Sequence, residues 1–566
     1  MGLPCIQEAT GHGSRAHGMR PQSCSSPGTF TTVNSIENRA VLCYVSATPE
    51  EFQAPHDVYD VAVVGAGMAG LATALRLAAQ GLSTLLVEAH ATAGGCAGYF
   101  QRNGFSFDVG ATTLVDFGPE GVGGELLNAT GIPSLDGEQL SGYRAWLPDR
   151  AVDLHREAKL WNHERLRTLG DSPRHRHFWS LMDRLASVFW PASRRGIKLP
   201  IRSVKDALQT IRAVGARNLF MARFLGWTLG DALRAHGLRE ERPLVGLLSM
   251  LVEDTVHATV DRAPLINAAL GITIRGAGLL RHTGGMRCFF LKLLERYREL
   301  RGKLCLGCRV NRIDTSRGGF KIEMRRGTVL ARQVVCALPA ELAARLGPQL
   351  VARALAPYLE RDRQARGGAV VVFLGAGEDE VCSGDFTHHQ ILESYERPLG
   401  DGNNMFVSVS SRGDLESAPP GFRAVMLSTH CELEPWQNLT PTEYRGKKAA
   451  IGTKLLRLAR RAFPGLGERP VVLEVGTPLT YQRFTGRPRG AVGGTRLDLS
   501  NSNQQAIPHQ IGVPGFWLVG DTTWPGLGTV ACVVGSRIVA NGVRERFREI
   551  HRERRVFPSV ALAEAP

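Results

Sequence analysis

The chain has 566 residues, of which 43% are hydrophobic and 21% charged, so it is too long for one compact core and too apolar for wholesale disorder. Its 68 Lys and Arg outnumber its 53 Asp and Glu, and the formal charge of +15 would attract anionic lipid, nucleic acid or an anionic small molecule. No apolar run reaches the roughly 18 to 20 residues of a spanning helix, and the 11 cysteines follow no disulfide framework, which predicts reduced thiols in a cytoplasmic-type compartment.

Residues 1–57 are rich in Gly, Ser, Thr and Pro without sustained periodicity and read as a disordered extension. Order begins at "YDVAVVGAGMAGLATALRLAAQGLSTLLVEA", with a strand at Tyr59 to Val64, a helix at Met68 to Ala79 and a second strand at Ser83 to Val87. A strand, helix, strand unit implies a parallel sheet. Gly65, Gly67 and Gly70 form G-x-G-x-x-G at the strand-to-helix junction, and Ala66, Met68 and Ala69 complete that turn. The first glycine serves the tight turn, the second the approach of a pyrophosphate, and the third the packing of helix on strand. Glu88 ends the second strand, where an acid can accept hydrogen bonds from an adenosine ribose. A second glycine pair, Gly94 and Gly95, follows in "EAHATAGGCAGYF".

The stretch 194–227 carries Val204, Leu208, Ile211 and Leu219 near helical spacing, interleaved with Lys198, Arg202, Lys205, Arg212, Arg217 and Arg223. It is either an interfacial anchor or a helix packed on its own core with a solvated basic face. "TGGMRCFFLKLLERYREL" (283–300) predicts an amphipathic helix, "KLCLGCRVNRID" a strand, and "ARQVVCALP" (331–339) a buried strand ended by Pro339. Cys305 and Cys308 form a lone C-x-x-C with no companion pair, and no metal site is expected. In "FWLVGDTTWPGLGTVACVVG" (516–535) an apolar strand stops at Gly520 and Asp521 and a glycine loop leads into a helix. The terminal arginines, Arg544 to Arg555, alternate with glutamates, as in a solvated helix.

The double-glycine extension resembles that of the flavoprotein superfamily that includes amine oxidases and carotene desaturases, which implies FAD rather than NAD. "HTGGMRCFFLKL" (282–293), "SVSSRGDLESAPPGFRAVMLSTHCE" (408–432), "TPLTYQRFTGRPRGAVGG" (477–494) and "FWLVGDTTWPGLGTVACVVGSRIVANGV" (516–543) resemble successive blocks of the phytoene desaturase and carotenoid isomerase family, nearest its isomerase and 3,4-desaturase branch. The likeness runs from about Val58 to Val543. It departs from the family at Ala91 to Ala93, where a basic residue is usual, and in "GTVACVV".

The fold implied is α/β: a discontinuous Rossmann-type FAD-binding domain (58–140, 275–345 and 505–550) with an inserted α+β substrate domain (141–274 and 346–504) and a tail at 551–566. By the resemblance, Gly520 and Asp521 meet the ribityl chain, Gly528, Thr529 and Val530 offer amides to the flavin's pyrimidine edge, and the Val310 backbone meets adenine. His430, Glu432, Arg483 and Arg487 lie in family blocks and are candidates for catalysis, against a structural role for each.

The implied activity is desaturation of an apolar polyene by hydride transfer, or its cis–trans isomerisation, with quinone or oxygen as electron acceptor. The expected location is peripheral, on the cytoplasmic side of a membrane surface, with a plastid-like compartment left open. The rivals are a polyene saturase and an amine oxidase, although Gly520-Asp521-Thr522-Thr523 stands where amine oxidases typically carry Gly-Glu. The spread positive charge lacks any nucleic-acid recognition motif, so no nucleic-acid partner is expected.

Overall fold

The computed structural model describes residues 58–556 except 383, with side chains to 550; the extension at 1–57 and the end of the tail lie outside the described residues. Val61, Ala62, Val63 and Val64 are buried on both faces, as a central parallel strand requires. Strand Val58–Val64 lies between Thr84–Val87 and Gly327–Cys336 and runs parallel to both, and Lys303–Cys305 extends the order past Thr84–Val87.

Strand Gly327–Cys336 has two different neighbours along its other edge. Its first half pairs antiparallel with Gly319–Met324, and Val334 to Cys336 pair in parallel with Phe516–Leu518. That register brings the C-terminal "LVGD" element beside the N-terminal glycine turn. The helix Met68–Ala79 has the predicted bounds, and every residue from Met68 to Ala78 is buried. It is enclosed by the sheet and by helices Gly285–Glu299 and Thr529–Val556, whose Phe289, Phe290, Leu293, Val533 and Val539 share its core.

"KLCLGCRVNRID" is two strands rather than one. Lys303–Cys305 and Val310–Ser316 lie at opposite edges of the sheet, and Gly307, at φ +63°, turns the chain between them. Alternating apolar residues cannot report that turn, because Gly307 and Cys308 donate their amides to the carbonyls of His90 and Glu88, far away in sequence. The "ARQVVCALP" strand also begins earlier, at Gly327.

A second sheet runs in the order Val472–Gly476, Gly368–Gly377, Phe422–Cys431, Asn404–Val409, His388–Leu392, Gly142–Trp146, Ala151–His155. It is antiparallel except where His388–Leu392 runs parallel to Gly142–Trp146. One face packs on helix Pro441–Ala459 through Val370, Val372, Val407, Leu427 and Leu455. The other meets Phe105 and Phe107, on the strand Phe105–Asp108, through Val371, Phe373 and Met426. Phe406, Ser428 and His430, also on this second face, are only partly covered. Helices between Ala158 and Ile272 form a separate apolar cluster around Phe178, Trp179 and Leu247.

The basic segment forms helix Val204–Val214 and a following 3-10 stretch, Ala216–Gly226. One side of it faces outward: Val204 is 78% exposed, and Leu208, Ile211, Leu219 and Phe220 are exposed too. The inner side of the segment, Ala213, Val214, Met221 and Phe224, packs on the core. Among the described residues no helix is long and apolar enough to cross a membrane.

Candidate functional site

Three backbone elements converge beside the first glycine turn. At Gly70 a Cβ would stand 1.9 Å from the Gly65 carbonyl oxygen, so only glycine lets the helix start this close to the strand end. At Gly67 a Cβ would meet nothing within 4 Å, so the turn borders open space there. The second glycine pair is clipped to the first: Gly94 N donates to Ala66 O at 2.9 Å, and Gly67 and Gly94 form a parallel bridge. Gly94 has φ +128°, and a Cβ there would lie 2.4 Å from Gly98 Cα, so a side chain would break this clip. Gly95 lies alongside, its would-be Cβ 3.4 Å from Gly67 Cα.

Glu88 closes the side of the turn. Its carboxylate accepts from the backbone amides of Ala66 at 2.7 Å and His90 at 2.8 Å. Cys308 N donates to the Glu88 carbonyl at 2.8 Å, which sets buried Val310 just beyond the acid. Phe484 meets His90 edge to face at 5.9 Å on the same rim. Cys305 and Cys308 are buried free thiols, and burial pushes Cys305 up to about 12. Among the described residues no group of three or more His, Cys, Asp or Glu could hold a metal ion.

The third element is the stretch from Gly520 to Val530. Gly520 and Gly528, like Gly67, border open space. Thr523 N donates to Gly520 O and Trp524 N to Ile507 O, which fixes the loop before helix Thr529–Val556 begins. The starts of this helix and of Met68–Ala79 adjoin, because the Cys532 thiol reaches the Ala69 backbone; burial and then the Asp521 charge push that thiol up to about 12. Two helix starts with unpaired amides bordering one space form a setting for phosphate and for negative charge.

Asp521 pairs with Arg487 at 2.6 Å, and both side chains are mostly buried. Burial opposes the Arg487 charge, yet the Asp521 carboxylate holds the guanidinium above its ordinary range. The Cys96 thiol lies against Arg487; burial raises it, and Arg487 pulls it back. A Cβ at Gly494 would stand 2.2 Å from the Asp521 carbonyl, so the chain from 487 to 494 wraps the acid. Arg366, paired with Glu341, adds positive potential; burial, then Arg489 and Arg487, lower it to about 10.

The structure therefore brings together Gly65 to Gly70, Glu88, Gly94, Gly95, Val310, Gly520, Asp521, Gly528, Thr529 and Val530, and adds Arg487 to Asp521. His430 stands apart on the partly covered face of the second sheet, its ring 4.4 Å from that of His257. Glu432 pairs with Arg496 at 2.7 Å, and Arg483 is exposed, 5.6 Å over the Phe484 ring. Polar residues that went unmarked in the sequence include Cys96, Glu253, Asp254, His257 and Gln390. Asp254 carried a signal, since Glu253 and Asp254 are adjacent acids in the last turn of helix Arg242–Val256, the end that disfavours negative charge.

A bound FAD fits this arrangement: open space runs past Gly67, Gly520 and Gly528, with an acid at either end in Glu88 and Asp521. A family model described as flavin containing amine oxidoreductase matches residues 68–530. The chain is similar to the chloroplastic prolycopene isomerase of Arabidopsis thaliana, 24% identical over 539 residues that cover 91% of this chain and 87% of that protein. It is also similar to the phytoene dehydrogenase of Streptomyces griseus, 25% identical over 522 residues, 85% of this chain and 94% of that one. Among solved structures, cyclohexylamine oxidase from Brevibacterium oxydans IH-35A shares the fold, with a TM-score of 0.56 at 16% identity over 87% of this chain and 100% of that one.

Proposed function

Because the chain belongs to the flavin containing amine oxidoreductase family and is an FAD-dependent oxidoreductase, we propose that its substrate is a carotenoid or related apolar polyene, which it desaturates or isomerises between cis and trans. The observation that carries this reading is likeness over nearly the full length of two polyene enzymes, a prolycopene isomerase and a phytoene dehydrogenase. The fold alone would not choose, since an amine oxidase shares it.

The first sheet and its helices (58–140, 275–345 and 505–550) are the FAD-binding domain in this reading, and the second sheet with the helices before it (141–274 and 346–504) is the substrate domain. The amides around Gly65 to Gly70 and the adjoining Gly94 and Gly95 hold the pyrophosphate. Glu88 takes the ribose hydroxyls, the Val310 backbone borders adenine, and Asp521, fixed by Arg487, takes the ribityl hydroxyls. Amides at Gly528, Thr529 and Val530 stabilise charge on the pyrimidine edge. When bound, FAD supplies the hydride acceptor for this chemistry.

Leu527 and Val530, at the flavin-side helix start, and Phe406 pack on the apolar cluster that includes Leu392 and Leu497, which supports an apolar lining between cofactor and helices. That lining suits a polyene, whose reaction depends on pose and exclusion of water. The outward apolar residues of Val204–Val214, with Lys205, Arg212 and Arg195 around a neighbouring cleft, support docking on an anionic membrane surface from which such a substrate is drawn. A quinone or oxygen reoxidises the enzyme in this account. Expression in bacteria that make lycopene, neurosporene or a cis-carotene, followed by chromatography of the pigments, tests the reading. Lengthened conjugation marks a desaturase, equal mass with changed retention an isomerase, and shortened conjugation a saturase; pigments unchanged in every strain overturn the substrate class.

A further inference from the structure

Beyond the dinucleotide cradle, a second group of titratable side chains occupies the junction between helix Arg242–Val256 and the partly covered face of the second sheet. Asp254, in the last turn of that helix, accepts a hydrogen bond from Gln390 Nε2 at 2.5 Å. Gln390 is in register with Phe406, and Phe406 with Ser428, so all three lie on the sheet face that carries His430. Asp254 is accessible, yet enough protein surrounds its carboxyl that burial is the leading influence on it. Asp254 therefore borders open space beside this sheet face.

Behind Asp254 stands an ordered array. Glu253 accepts from Asn404 Nδ2 and lies 3.7 Å from His430 Nδ1, and the His430 ring packs 4.4 Å from that of His257. His257 ends the helix at φ +52°, a left-handed conformation that a non-glycine residue adopts at a cost. Its ring lies on Gly493, where a Cβ would be 2.0 Å from Cε1, and the next residue, Gly494, packs on the Asp521 carbonyl. Two adjacent glycines thus connect the histidine to the acid of the flavin site.

We propose that Asp254 exchanges the proton with the bound polyene, with Gln390, Glu253, His430 and His257 as the residues that position it. The assignment rests on the polyene reading above. When a carbon–carbon single bond of the substrate becomes double, two C–H bonds break. One hydrogen leaves as hydride to the oxidised flavin, the other as a proton to the Asp254 carboxylate, and the electron pair of that second C–H bond becomes the new π bond. The carboxylic acid then returns its proton to water.

The surroundings suit a base of this kind. Burial raises Asp254 to about 6, against the pull of His430 and with the push of Glu253, and the Gln390 hydrogen bond lowers it. A carboxyl in that range is ionised at neutral pH and more basic than an ordinary Asp. Burial opposes the charge of His430, but Glu253 overrides it and raises the imidazole; burial, then His430 and Arg496, hold His257 well below its usual range. The charged and titratable groups facing the array are therefore Glu253, His257, His430, Arg496 and Tyr143, with Asp401 and Glu432 beyond Glu253. Among the described residues Gln390 Oε1 has no hydrogen-bond partner, and a rotation of this amide lets it accept from Asp254 once the acid is protonated.

The test uses the FAD-loaded protein. Infrared titration without substrate should show a carboxylic-acid band that disappears as pH rises through about 6, is absent in Asp254→Asn, and titrates at higher pH in Gln390→Leu. With neurosporene, lycopene or a cis-lycopene in liposomes, wild-type conversion should fall on the acid side with the same midpoint. Asp254→Asn should lose on the order of a hundredfold or more in kcat with KM and flavin content unchanged, and Gln390→Leu should move the acid limb upward in pH. Wild type that converts a polyene beside a fully active Asp254→Asn overturns this assignment alone, as does a missing band. Wild type that converts none of these polyenes overturns both the assignment and the substrate reading.

Discussion

Arg487 Nη2 donates to Asp521 Oδ2 at 2.6 Å, with the two side chains 15% and 13% exposed. The pair joins the segment from 487 to 494 to the loop before helix Thr529–Val556, so it sets the position of the acid assigned to the ribityl chain. Replacing Arg487 by Met would leave a mostly buried carboxylate without its counter-charge, a loss of about 3 kcal/mol or more. Denaturant unfolding should show that loss, and the flavin-to-protein absorbance ratio should fall; Arg487→Lys should retain part of both.

Two glycines three residues apart should fail in different ways. A side chain at Gly67 enters open space at an ordinary φ of −68°, so Gly67→Trp should keep the thermal midpoint within a few degrees and lose FAD. At Gly70 even a methyl group would collide with the Gly65 carbonyl at 1.9 Å, so Gly70→Ala should lower the midpoint itself, at a cost of about 1–3 kcal/mol. Circular dichroism melts and flavin absorbance, measured on the same samples, separate the two outcomes.

Asp254 carries a pH signature in stability. Its folded-state value is raised from 3.8 to about 6, so the folded protein resists ionisation that the unfolded chain undergoes readily. The stability contribution of this group is complete below pH 3.8 and is lost as pH rises to about 6, beyond which it stays lost. Asp254→Asn should therefore gain stability relative to wild type at pH 7.5 and lose that relative gain near pH 4, as read from melts at the two pH values.

The glycine motif, Glu88 and the bounds of helix Met68–Ala79 were legible in the sequence, because each answers a local demand: a tight turn, a strand end or continuous burial. The pairing of Gly67 with Gly94 and of Arg487 with Asp521 was not, since both depend on chain reversals that local periodicity does not encode. The same limit fused Lys303–Cys305 with Val310–Ser316 across the Gly307 turn. Asp254 and Gln390, 136 residues apart, meet only because the helix Arg242–Val256 ends over the second sheet.

The outward apolar face of Val204–Val214 makes membrane docking separable from folding. Val204 and Leu208 are 78% and 48% exposed, so Val204→Asp with Leu208→Asp should leave the thermal midpoint unchanged. Cosedimentation with vesicles containing anionic phospholipid should weaken at least tenfold, since each large apolar side chain inserted is worth about 1.5–3 kcal/mol. Raising the salt concentration should weaken the wild type as well, through screening of Lys205 and Arg212.

Anaerobic flavin spectroscopy of the purified, FAD-loaded protein separates a polyene enzyme from an amine oxidase of the same fold. Polyenes in liposomes and simple primary amines are added in turn, and flavin absorbance is followed beside chromatography of the products. A polyene should be converted or perturb the flavin spectrum, and the amines should leave the flavin oxidised. Bleaching by an amine, with every polyene recovered unchanged, would contradict the polyene reading.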